Sequence, residues 1–149
     1  TSSTWGVRSE SGERVAELVP KVLACFEAAA MATGCRVEIT KVDHPYLNMR
    51  NNPVMTSLYA ANSGALGRPM PTEEELGRTG GSSDMGNVSQ VVPAIHPMVA
   101  IDSGEAVNHQ KEFAAATITP SGDRAIRDGA LAMAWTIIDM ATQDVWGRL

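Results

Sequence analysis

Arg36-Val37-Glu38-Ile39-Thr40-Lys41-Val42 alternates apolar and polar side chains with a period of two. That is the pattern of a strand with one face covered and the other in water. Immediately before it, Gly34 is a good C-terminal stop for a helix. Upstream of Gly34, Val15, Leu18, Val19, Val22, Phe26, Ala29 and Ala30 recur at helix spacing and make one apolar stripe. Ser11 and Glu13 stand at the start of that pattern. Pro20 lies inside it, where the missing amide removes one backbone bond and predicts a kink. Further back, Thr4–Ser9 reads as a short strand. Strand, helix and strand within about 40 residues predict a compact α+β unit, with one sheet face open unless more strands join it.

Downstream, 44–52 is a connector rich in Pro and Asn. Asn52-Pro53 is a helix start, a capping side chain followed by proline at the first helical position. Val54, Met55, Leu58, Tyr59 and Leu66 follow at helical spacing, and Gly67 ends that helix. Pro69–Gly81 reads as a long loop with one helical turn over Thr72–Leu76. Gly80–Ser89 is a turn-forming cluster. It leads into Val91, Val92, Pro93 and Ile95, then into a buried strand over Met98–Ile101. Thr119-Pro120 opens a last helix with Ile126, Ala130, Met133, Ala134, Ile137 and Ala141 on one face.

The 149 residues suit one domain or two small pieces of a larger protein, and at 44% hydrophobic they carry enough apolar material for a core. A net charge of −5 argues against a basic nucleic-acid footprint, and 5% aromatic residues against a base-stacking platform. No apolar run reaches the roughly 20 residues that span a bilayer, and no charged-then-apolar leader opens the chain. Thr1 in place of Met is expected of a chain that was processed or cut from a longer one. Cys25 and Cys35 form no CxxC pair and read as reduced, buried thiols of a cytoplasmic protein.

Few side chains stand out as chemistry. His44, His96 and His109 form no HxxxH pair, so the local signature of a zinc protease is missing. His109 follows an expected strand and precedes helical sequence, the place where sites collect in α/β proteins. Glu112, three residues on, is placed to orient the imidazole; the competing reading is an exposed His in a capping loop. Asp84 sits among Gly80, Gly81, Ser82, Ser83 and Gly86, where backbone amides and hydroxyls approach a ligand closely. A tight turn is the plainer meaning of the same residues. Glu73, Glu74 and Glu75 read as a solvated charge run rather than a catalytic pair. Gly-x-Ser-x-Gly is absent.

The run Gly81-Ser82-Ser83-Asp84-Met85-Gly86-Asn87-Val88-Ser89, continuing through Val91-Val92-Pro93-Ala94-Ile95-His96-Pro97, resembles the M20 family of metallopeptidases and amidohydrolases. It is most similar to the branch that holds the aminobenzoyl-glutamate hydrolases and the M20 domain-containing dipeptidases. Asn108-His109 with Glu112-Phe113 fits the family's late His motif, and Phe26–Ala30, Ala32–Cys35 and Val37–Ile39 fit its lid.

The resemblance implies an α/β fold: the C-terminal part of a catalytic α/β domain at residues 51–149, and half of an α+β, ferredoxin-like lid and dimerisation domain at 1–50. It implies a hydrolase that cleaves an amide bond beside a free carboxylate with a metal-bound water, on a small N-acyl amino acid or dipeptide-like substrate. The parent would hold two divalent ions, zinc or manganese, and form a homodimer through the lid, in the cytoplasm, with neither nucleic acid nor membrane as partner. His109 would be the final metal ligand. Asp84, Ser83, Asn87 and His96 would line the site with Glu112, and Arg8 would meet a substrate carboxylate. The family's His-x-Asp motif, Glu-Glu pair and lid histidine do not occur here. The chain alone is therefore expected to be inactive, with no catalytic residue of its own and an N-terminal half of the catalytic domain missing. The alternative is a non-catalytic dimerisation or binding module left from such an enzyme.

Overall fold

Three helix starts that the sequence marks by capping chemistry are where the three long helices begin. The computed structural model describes residues 1–41, 45–72 and 81–149. Ser11 accepts a bond from the Arg14 amide at 3.2 Å and opens α1, Gly12–Thr33. Asn52 Oδ1 accepts from the amides of Val54 and Met55 at 3.0 and 3.1 Å and opens α2, Pro53–Ala65. Thr119 Oγ1 accepts from the Gly122 amide and opens the last long helix, Pro120–Thr142. Each cap satisfies a donor that the first helical turn leaves orphaned. Gly34 ends α1 in the left-handed conformation, φ 66°, with the Cys35 amide bonded back to Ala30 O at 2.9 Å. α1 runs on both sides of Pro20. Two short helices lie between, α3 (Met85–Val88) and α4 (Lys111–Ala116); the last long helix is α5, and a 3₁₀ turn follows at Trp146–Arg148.

The expected α/β fold with a ferredoxin-like lid is not what forms. Among the described residues there is no strand, and the one bridge is an isolated parallel pair, Asn51 with Ala94. Thr4–Ser9, the described part of the 36–42 segment, and Met98–Ile101 all lack regular structure. A strand exists only when its amides and carbonyls meet those of a neighbour. Alternation supplies the right side chains, but none of these segments finds a ladder partner. The helical turn expected over Thr72–Leu76, the three glutamates at 73–75 and His44 fall wholly or largely outside the described residues.

The core lies where α2 meets α5, the principal helix–helix contact among the described residues. Tyr59 and Ser63 of α2 are buried, and so are Gly122, Ala125, Gly129, Ala132, Thr136 and Met140 of α5, with Gly122 against the Thr117 backbone and Gly129 beside Val99. These α5 positions recur every three or four residues, so they form one face, and that face is small. Four of the six are glycine or alanine, so most of that face carries little side chain. Asn62 locks the register, donating to Asp139 Oδ2 at 2.7 Å and to Thr136 Oγ1 at 3.3 Å.

The apolar face expected to turn inward on α5 instead faces out. Ile126 is 71% exposed and Ile137 64%, against 1% for Ala132. The stripe of α1 is likewise at most half-buried, with no residue of that helix in the core. Trp5 lies edge-on to Phe26, with ring centroids 5.6 Å apart. Cys25 and Cys35 are unpaired, as expected, but exposed rather than buried. No described helix is long and apolar enough to cross a membrane.

Arg68, just past α2, ties three parts of the chain together. Its Nε donates to Asp128 Oδ2 at 2.8 Å and its Nη1 to Ala100 O at 2.9 Å, while its own backbone pairs with Ser63. The hydrogen bond from Arg68 lowers the Asp128 pKa, partial burial opposes it, and the nearby Arg127 lowers it further.

Two outcomes follow from this packing. Ala132→Leu overfills the α2–α5 contact and should cost about 1–3 kcal/mol, whereas Ile137→Ala should change stability by about 0.5 kcal/mol or less; urea midpoints of the two variants measure this. Asp128 has its folded pKa below the unfolded one, so its contribution is fully present above the ordinary value of 3.8 and is lost as pH falls through the lower folded value. Urea unfolding followed from pH 6 downward should therefore show stability falling below about pH 4, less steeply in Asp128→Asn than in the parent.

Candidate functional site

Of the residues that the resemblance singles out, the 83–90 stretch is the most organised. Ser83 Oγ accepts from the Met85 amide at 3.2 Å and donates to Asp84 Oδ1 at 3.3 Å. This short turn starts α3 and leaves the Asp84 carboxylate exposed. Gly86 follows, buried against the backbone of Leu47. A Cβ at position 86 would stand 1.9 Å from Leu47 O, so glycine is the residue that permits this approach.

Three of the next four residues, Asn87, Ser89 and Gln90, grip the same segment. Asn87 Oδ1 accepts from the Leu47 amide at 3.1 Å, and Asn87 Nδ2 donates to Pro45 O at 3.1 Å. Ser89 Oγ accepts from the Arg50 amide at 2.9 Å and donates to Gly86 O at 2.7 Å. Gln90 Nε2 donates to Asn48 O at 2.7 Å. Residues 45–50 have no helix or strand of their own, so side chains from 87–90 satisfy backbone groups that secondary structure would otherwise satisfy. The chain then passes through the Asn51–Ala94 bridge into α2. On its other side, Asn48 Oδ1 accepts from the Gly12 amide at 3.2 Å, and the Leu47 side chain reaches the N-terminus of α1 beside Gly12.

His109 is exposed in a turn closed by Gln110, whose Oε1 accepts from the Val107 amide at 3.0 Å. Its φ is 71°, in the left-handed region that few residues other than glycine occupy. Backbone held there is a recurring feature of functional positions. Glu112, one turn on in α4, is exposed and 3.7 Å from Lys111 Nζ. With Ser103, Glu105, Ala106 and Gln110 it lines an open surface depression. His96 and Arg8 are both exposed, one in the 95–97 segment and the other in the 4–9 segment.

The structure thus brings Ser83, Asp84 and Asn87 into one local unit. Among the described residues no three of His, Cys, Asp and Glu come together in a way that holds an ion. A two-metal centre does not fit the described residues alone, since such a site needs several carboxylates and imidazoles around two ions. Sequence reasoning missed Asn48, Ser89 and Gln90. Polar residues in loops are common, and nothing in their local sequence marks partners some 40 residues away.

No family model matches the chain. It is similar to the Xaa-Arg dipeptidase of Mus musculus, 37% identical over 134 residues, and to the human Xaa-Arg dipeptidase, also 37% identical over 134 residues. Each match covers 89% of this chain. A match of that extent takes in both the 83–90 stretch and His109. These matches support the resemblance to M20-family peptidases. The chain spans only 31% of the mouse and 30% of the human relative.

The close approach at Gly86 is testable. Gly86→Ala must displace the 45–50 backbone and should cost about 1–3 kcal/mol. Gly81→Ala, with open space around its Cβ, should stay within about 0.5 kcal/mol of the parent. Thermal or urea unfolding of the two variants measures the difference.

Proposed function

We propose that this chain is part of an amide-bond hydrolase acting on dipeptide-like substrates with a free carboxylate, dipeptides ending in arginine being the first to try. The observation that carries the reading is the 37% identity to Xaa-Arg dipeptidases over 89% of the chain. In this reading His109 contributes one ligand to a divalent metal centre, zinc or manganese, and the other ligands come from polypeptide beyond the described residues. The positive φ at His109 supports its role, because an exposed imidazole held in unusual backbone is presented rather than packed. A bound ion would supply an activated water for amide hydrolysis. Glu112 stands within one turn of His109 to orient it, and Ser83, Asp84 and His96 would lie toward substrate, with Asn87, whose side-chain amide is taken up by Leu47 N and Pro45 O, supporting them from behind. Arg8 would meet the carboxylate.

The same proposal has residues 1–50 acting as a lid that forms a homodimer, and 51–149 as the closing part of the catalytic unit. Two free thiols agree with a reducing compartment such as the cytoplasm. A second reading, a dimerisation or binding module without catalysis, is favoured by the lack of a ligand cluster among the described residues and by an α1 that buries no residue.

Hydrolysis of Xaa-Arg dipeptides by the full-length protein decides between them. The enzyme reading predicts turnover that a chelator abolishes and zinc or manganese restores. It also predicts that His109→Ala lowers kcat/KM by about a hundredfold or more. No turnover with any dipeptide, at any metal loading, leaves the binding-module reading.

A further inference from the structure

We infer that Asn87 and Gln90 are positioning groups, which fasten residues 45–50 between the N-terminus of α1 and the Ser83–Asp84 turn and so set where that turn lies. Four backbone groups of a segment without secondary structure, Pro45 O, Leu47 N, Asn48 O and Arg50 N, are each held by a side chain from 87–90. Asn87 holds two of them with its two amide atoms, the one side chain in this cluster that donates and accepts at once toward the same segment. The grip continues across the segment. The residue whose carbonyl Gln90 holds is the residue whose side chain holds the Gly12 amide. Leu47 in turn lies between Gly86 and Gly12, two glycines whose missing side chains make room for it. Residues 45–50 are therefore fastened to the 87–90 stretch on one side and to the start of α1 on the other. Asn87 and Gln90 act on chemistry only through that placement.

The role at a site rests on the hydrolase reading proposed above, while the fastening itself does not, and the experiment separates the two. In the full-length protein, amide hydrogen exchange is followed in Asn87→Ala, Asn87→Asp and Gln90→Ala, beside kcat and KM for an Xaa-Arg dipeptide. Asn87→Ala should speed exchange at the Leu47 amide by about tenfold or more with α2 and α5 unchanged. Asn87→Asp keeps the acceptor and should leave Leu47 protected while losing the bond to Pro45 O. Gln90→Ala should speed exchange at Gly12. Misplacing the turn should lower kcat by about tenfold in Asn87→Ala, with KM changed by about twofold or less, and less in Asn87→Asp. Unchanged Leu47 exchange in Asn87→Ala overturns the fastening. Exchange rising equally in α2 and α5 also overturns it, because the residue then supports the whole fold. A local opening with kcat unchanged overturns the positioning role alone. A parent protein that hydrolyses no dipeptide removes the hydrolase reading and that role together, and the exchange result still decides the fastening.

Discussion

The approach of α2 to α5 is the contact on which the described structure depends. On α5 the buried residues are Gly122, Ala125, Gly129, Ala132, Thr136 and Met140, one face of the helix, with Gly122 set against the Thr117 backbone and Gly129 beside Val99. Small residues contribute little hydrophobic area each, but they allow dense contact and many weak attractions. Polar groups then fix the register. Thr136 returns its hydroxyl to Ala132 O at 2.7 Å while accepting from Asn62, and Asp139 takes the other bond from Asn62. Val99 packs beside Gly129, and Arg68 joins Asp128 of α5 to the carbonyl of Ala100. Around this pair the other described residues form the long helix α1, two short helices and connecting segments without regular structure.

Much of this is legible in the sequence, and the legible part is local. Ser11, Asn52-Pro53 and Thr119-Pro120 announce helices because capping is chemistry between a side chain and amides two or three residues away. Gly34 announces a helix end for a reason just as local, the left-handed conformation it adopts without penalty. Strands are over-read because pairing is not local. Arg36–Val42 has the alternation of a strand, and alternation is all that a single segment can show. The face of α5 is misread for a related reason. Hydrophobic patterning selects Ile126, Met133 and Ile137, large residues that stay exposed, whereas the buried face of α5 is mostly glycine and alanine. A sequence with a large apolar face and a small one does not say which is used.

The 83–90 stretch is legible as important and illegible as to how. The resemblance points to it as part of an active site, and a plain reading makes it a tight turn. The structure gives the turn a specific job, through the approach of Gly86 to Leu47 and the grip of Asn87, Ser89 and Gln90 on 45–50. These partners lie some 40 residues upstream, beyond the reach of spacing rules. His109 is legible as a candidate from its place before helical sequence, but its positive φ is not. The exposed apolar side chains of α5, and an α1 whose apolar stripe is only half-buried, are equally features that patterning alone does not foresee.

The central claim is that α5 uses its small face and leaves its large face open in this chain. Cysteine alkylation tests it most directly. With Cys25 and Cys35 replaced by serine, single cysteines are placed at Ala125, Ala132, Ile126 and Ile137 of the 149-residue chain, and labelling rates are measured under native conditions. The account predicts slow labelling at 125 and 132, brought up to the unfolded rate by urea, and rapid labelling at 126 and 137 without urea. Rapid labelling at 125 and 132 with protection at 126 and 137 would contradict it, because α5 would then pack through the face that its hydrophobic pattern favours.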